Sequence, residues 1–137
     1  MLLEARIKNQ TIGEVEQQGA QVAQAITQTL RNADVINAPT QGNSAATLSL
    51  NTYTGANNPT IFDLSAGTIR VTEGAGVPTA LSNARVVASV LNFQNLSQPD
   101  TPGIVRFSFL LTHINPSGRN EYNFSKTFYA SASLRQP

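Results

Sequence analysis

The chain has 137 residues, with nine Lys and Arg against eight Asp and Glu, one His, and no Cys or Trp. That length suits one domain, able to bury about two-thirds of its unfolded surface without a disulfide or metal staple. The missing cysteines exclude thiolate metal sites and redox motifs, and a net charge of +1 lacks the many cations that grip a nucleic-acid backbone. Only 12% of residues are charged, against about 25% in ordinary soluble domains. Asn, Gln, Ser and Thr fill the deficit with 48 of the 137 positions. A surface of that kind is electrostatically quiet and suits an extracellular or assembled protein. No run of 18 apolar residues is present to cross a bilayer, and Glu4, Arg6 and Lys8 break up the opening apolar residues, against a secretory signal.

The first third reads as one amphipathic helix. Ile12, Val15, Gly19, Val22, Ala23, Ile26, Leu30 and Ala33 recur at steps of three and four, the period of a single helical face. Gln17, Gln18, Gln21, Gln24, Gln28 and Asn32 are assigned to the other face, and Asn37 and Pro39 mark the stop. A helix from about Leu2 to Ile36 is roughly 50 Å long, whereas a compact body of this size is about 30 Å across, so one end is expected to project. Gly19 on the stripe predicts close approach of helix and sheet; Gly13, off the stripe, predicts a bend or frayed turn.

After Pro39 the period becomes two. Leu48 and Leu50 alternate with polar residues, and Ile61–Leu64 and Thr68–Thr72 flank the short loop Ser65-Ala66-Gly67, a hairpin signal. Thr72 to Pro78 reads as irregular connection. Arg85–Leu96 and Ile104–Ile114 read as longer strands, the latter with Val105, Phe107, Phe109 and Leu111 on one face. Asn115-Pro116-Ser117-Gly118 is a turn. Tyr122, Phe124, Phe128, Ala130, Ala132 and Leu134 line the return strand. The expected fold is therefore α+β: a single domain with an N-terminal amphipathic helix over 1–37 packed on an antiparallel β-sheet over 38–137.

Catalytic constellations are missing. His113, at the end of the Phe107/Phe109/Leu111 row, has neither a Cys nor a second His to join it in a metal site and reads as structural. Gly74-Ala75-Gly76 lacks the strand–turn–helix setting of a phosphate cradle. The loop Gly55–Thr60 contains no acid to hold calcium, and Glu14 and Glu16, two apart on a helix, face different directions. Three Asn-X-Ser/Thr matches, at Asn9, Asn95 and Asn123, arise readily in so Asn-rich a chain and carry no assignment. No enzyme, cofactor or metal is expected, and the aromatic alternation in the last two strands reads as core.

The run Ile7-Lys8-Asn9-Gln10 through Gln28-Thr29-Leu30-Arg31-Asn32-Ala33, then Ala46-Thr47-Leu48-Ser49-Leu50 and Phe62-Asp63-Leu64-Ser65-Ala66-Gly67-Thr68-Ile69-Arg70, carries a family likeness. With the element from Ala80-Leu81-Ser82 to Val90-Leu91-Asn92-Phe93 and the closing hairpin to Leu134, the chain resembles the globular part of type IV pilin-like proteins, the minor pilins and pseudopilins. The resemblance implies a pilin-like fold and a structural subunit of a type IV pilus or type II secretion-like pseudopilus. In that family an apolar helix anchors the subunit in the membrane before assembly and then packs in the filament core. Met1-Leu2-Leu3-Glu4-Ala5-Arg6 looks like the point where that helix gives way to its amphipathic half. Membrane attachment is thus expected only through an upstream segment, and localisation at the cell surface or outside it.

On this reading Ile12, Val15, Val22, Ile26 and Leu30 dock the helix on the sheet, and Leu2, Leu3 and Ile7 are the candidates for contact between subunits. The expected partners are other pilin or pseudopilin subunits, with no nucleic acid, and the isolated chain is expected to be monomeric. The alternative is a secreted or surface β-rich adhesin or ligand-binding module on a helical stalk, with the loops Thr52–Thr60 and Thr72–Leu81 making the contacts.

Overall fold

The computed structural model describes residues 2–52, 55–83, 85–99, 103–113 and 124–134, with side chains from residue 9 onward. Helix α1 spans Leu2–Arg31, 30 residues and so about 45 Å at 1.5 Å per residue. It runs unbroken through Gly13, which has open space around it. No frayed turn forms there. Its last turn closes with the Asn32 N–H shared between the Gln28 and Thr29 carbonyls.

The helix stops five residues before the expected end at Ile36. Ala33–Ala38 form strand β1, whose backbone pairs antiparallel with β3 (Leu48–Thr52), from Ala33 opposite Thr52 to Ala38 opposite Ser49. The β-branched pair Val35 and Ile36 favours extended backbone, and β3 offers the partners that a continued helix would forgo. The boundary drawn at residue 37 therefore moves to Arg31.

The remaining strands are β2 (Ser44–Ala45), β4 (Thr60–Ser65), β5 (Thr68–Glu73), β6 (Thr79–Ala80), β7 (Val86–Asn95), β8 (Ile104–His113) and β9 (Ser125–Ser133). They form two antiparallel sheets where one was expected: β1-β3-β4-β5-β6 and β2-β7-β8-β9. The chain crosses between them in the Pro39–Asn43 segment, and Asn95 holds that crossing in place. Its Nδ2 donates to the Pro39 carbonyl, its Oδ1 accepts from the Ser97 N–H, and its main chain pairs with Gly42 and Asn43. A buried amide with its polar groups satisfied in this way fixes geometry without a desolvation penalty.

The β4–β5 hairpin turns on Ala66 and Gly67, both at positive φ (50° and 79°), the backbone of a tight two-residue turn whose twist matches the strands. Across it the Arg70 guanidinium bonds the Asp63 carboxylate through Nε (3.1 Å) and Nη2 (2.9 Å), and this hydrogen bond raises the Arg70 pKa above its ordinary value. The turn also touches the second sheet, where the Ala88 N–H donates to the Gly67 carbonyl.

One contiguous core joins the layers. Val22, Ile26 and Leu30 of the helix, Leu48, Leu50, Phe62 and Ile69 of the first sheet, and Phe93, Phe107, Phe109 and Leu111 of the second belong to a single buried cluster. Within it Phe107 and Phe109 stack at 6.4 Å, and the half-buried Phe128 packs against it, 5.3 Å from Phe109. The expected turn at Asn115–Gly118 and the inward Tyr122 lie outside the described residues.

Strand β7 contains a bulge. Ala88 and Ser89 face Leu111 and Leu110, but Asn92 faces Ser108, so one extra residue is inserted between Ser89 and Asn92. Val90 sits there at φ 55°, a conformation that a β-branched residue adopts only when its surroundings impose it. Even-numbered residues point inward before the bulge (Val86, Ala88) and odd-numbered ones after it (Leu91, Phe93, Asn95).

Candidate functional site

Helix α1 lies against β8 and β9, and its inner stripe places the docking residues. Val15, Val22, Ile26 and Leu30 are fully inaccessible to solvent. Ile12 is only half-buried, while its neighbour Thr11 is buried. At 3.6 residues per turn the stripe passes between these two positions, and the smaller Thr11 takes the inner one. Leu2, Leu3 and Ile7 belong to the helical backbone, but their side chains lie outside the described residues.

Gln18 corrects the assignment of glutamines to the outer face. It stands three residues after Val15 and four before Val22, so the period itself places it on the stripe, and it is 6% exposed. Its Oε1 accepts the Asn83 N–H at 2.9 Å. Around it the helix is tied to the loop before β7 by Gln21 Nε2 donating to the Leu81 carbonyl and Asn83 Nδ2 donating to Glu14 Oε1. Glu14 also pairs with Arg85 at 3.7 Å, and Glu16 with Lys126 of β9 at 3.0 Å. The two carboxylates thus serve opposite flanks of the helix as fasteners. Reading a glutamine by its polarity rather than by its spacing hides this row.

A cleft of about 580 Å³ opens beside the N-terminal half of α1, lined by Gln10, Thr11, Glu14, Gln17, Arg85 and His113. Its carboxylate is engaged by Arg85 and Asn83, and His113 ends β8, where its main-chain N–H donates to the Phe124 carbonyl. Among the described residues no group of three His, Cys, Asp or Glu could hold a metal ion, and no helix is long and apolar enough to cross a membrane.

The outward face of α1 adjoins this cleft and shares Gly13 and Gln17 with it. Gly13, Gln17, Ala20, Gln24 and Gln28 are exposed at helical spacing, an uncharged stripe that ends at Arg31. No protein family, curated protein or solved structure matches the chain.

Proposed function

We propose that this protein is a structural subunit of a helical surface filament, a type IV pilus or a type II secretion-like pseudopilus, and that it assembles through its N-terminal helix. One observation carries the reading. Helix α1 presents the uncharged stripe Gly13, Gln17, Ala20, Gln24 and Gln28 to the outside along its packed length. Another subunit can approach such a face without stripping water from an ion, the step that makes charged interfaces costly. The pilin-like order and texture of the sequence fit the same reading.

On this proposal the inner stripe of α1 holds the subunit together and leaves the outer stripe and Leu2, Leu3 and Ile7 to neighbouring subunits. The sheets and their loops face outward from the filament. Membrane anchoring before assembly would come from an apolar segment upstream.

The test is recovery of this chain, by mass spectrometry, in filaments sheared from the producing cell. The proposal expects it there, and expects its loss when the peptidase that processes prepilins is deleted. Recovery only as a freely secreted protein, or fused behind a second folded domain, would overturn the filament reading in favour of a stalked adhesin.

A further inference from the structure

The outer face of the four-stranded sheet carries a groove of about 360 Å³ lined by Asn92, Gln94, Arg106, Ser108 and Tyr129, within the size range of small-ligand sites. The strand register sets them in two rows. Asn92, Ser108 and Tyr129 lie side by side across β7, β8 and β9, and Gln94, Arg106 and Ser131 form the next row. Neighbours on one face of a sheet are about 5 Å apart across strands and about 7 Å apart along them, so the patch covers roughly 10 by 7 Å.

Each residue contributes a distinct surface. Tyr129 is 74% exposed, a free aromatic face on a sheet whose other described rings, Phe93, Phe107, Phe109 and Phe128, turn inward to the core. The Arg106 guanidinium is held by Gln94 Oε1 at 2.8 Å, and the ion pairs among the described residues do not include it. Asn92 and Ser108 add a planar amide and a hydroxyl in the same row as the ring.

The bulge in β7 builds this face. If the same sequence alternated regularly with no bulge, Asn92 and Gln94 would continue the inward register of Val86 and Ala88, and Leu91 and Phe93 would emerge on the outside. Val90 takes the cost, as a β-branched residue at positive φ that is itself 71% exposed. Bulges that re-aim side chains gather at binding sites, and strained backbone persists where the surrounding structure holds it.

We propose that this groove binds a saccharide. A pyranose has an apolar face of C–H groups and a rim of hydroxyls. The Tyr129 ring matches the first, and the Asn92 and Gln94 amides, the Ser108 hydroxyl and the Arg106 guanidinium match the second. A single-stranded nucleic acid also stacks on aromatic rings but needs a track of cations along its backbone, and the lining of this groove has a single cation, Arg106. The inference is independent of filament assembly, since it uses the sheet face remote from α1.

The test is an amide NMR titration of the folded chain with maltotriose, tri-N-acetylchitotriose and trigalacturonate, each to about 10 mM, enough to detect millimolar binding. The proposal expects at least one to shift the amides of Asn92, Gln94, Arg106, Ser108 and Tyr129. It also expects Tyr129→Ala to weaken that binding about tenfold or more while Tyr129→Phe retains most of it, because the ring does the stacking. Far-ultraviolet circular dichroism checks that the exposed substitution leaves the fold intact. No shift on this face with any of the three, equal binding by Tyr129→Ala, or shifts produced by oligothymidylate alone would each overturn the proposal.

Discussion

Gly19 of the helix and the ring of Phe128 on β9 share one space: a Cβ at Gly19 would lie 2.1 Å from Phe128 Cζ and 2.3 Å from Cε2. The ring has little freedom to yield, because it stacks on Phe109 at 5.3 Å and carries the Lys126 ammonium over its face at 5.2 Å. Gly19 thus lets helix and sheet approach at the centre of their interface. Gly13, two turns earlier, has nothing within 4 Å.

The two glycines are therefore expected to respond to alanine with opposite signs. In a helix interior alanine is better than glycine by about 1 kcal/mol, and Gly13→Ala should raise the urea midpoint accordingly. Gly19→Ala gains the same propensity but forces the overlap, and overpacking a core costs about 1–3 kcal/mol. Its midpoint should fall. A rise for both variants would show that the helix does not sit on Phe128 as described.

Gln18 and Gln21 make a second contrast. Gln18→Met keeps the length and volume of the side chain but removes the acceptor of the partly buried Asn83 N–H, and losing such a hydrogen bond costs about 0.5–1.5 kcal/mol. Gln21 bonds the Leu81 carbonyl at an exposed position, and Gln21→Met should stay within about 0.5 kcal/mol of the parent. Denaturant unfolding of the two variants checks this. Equal midpoints would remove the claim that Gln18 anchors the helix.

Truncation of the core should report on both layers at once. Ile26 and Phe109 are fully inaccessible, and Ile→Ala and Phe→Ala at such sites cost about 2–5 and 3–5 kcal/mol. Gln24 is exposed, so Gln24→Ala should be near neutral. If Ile26→Ala unfolds as late as Gln24→Ala, the inner face of α1 has been assigned to the wrong side.

Hydrogen exchange should divide the helix. Described burial on α1 begins at Thr11 and becomes continuous from Val15 to Leu30, while Asn9 and Gln10 are exposed. Segments with few buried contacts open at low free energy, so amides ahead of Thr11 should exchange quickly and those from Val15 to Leu30 slowly. The chain is expected to be mainly monomeric in dilute solution, which sedimentation would check alongside. Strong protection from Asn9 onward in a verified monomer would show that the early turns dock on their own domain and are not left for a neighbouring subunit.

Local periodicity was enough to determine the helix stripe Val15, Val22, Ile26 and Leu30, the inward row Val105, Phe107, Phe109 and Leu111, and the Ala66-Gly67 hairpin. In each of these the residues that decide the structure are neighbours along the chain, and steps of two or of three and four sort their apolar from their polar faces. The helix end at Arg31, the split into two sheets, the burial of Gln18 and the bulge at Val90 were decided by partners far away in sequence. Ala33–Ala38 became strand because β3 was there to pair with it, Gln18 could be buried because Asn83 supplied a donor, and the switch of face in β7 answers to its register against β8. A pattern of hydrophobicity records which residues avoid water. Which backbone groups find each other, and so which polar residues are brought to one surface, follows only once the strands have chosen their partners.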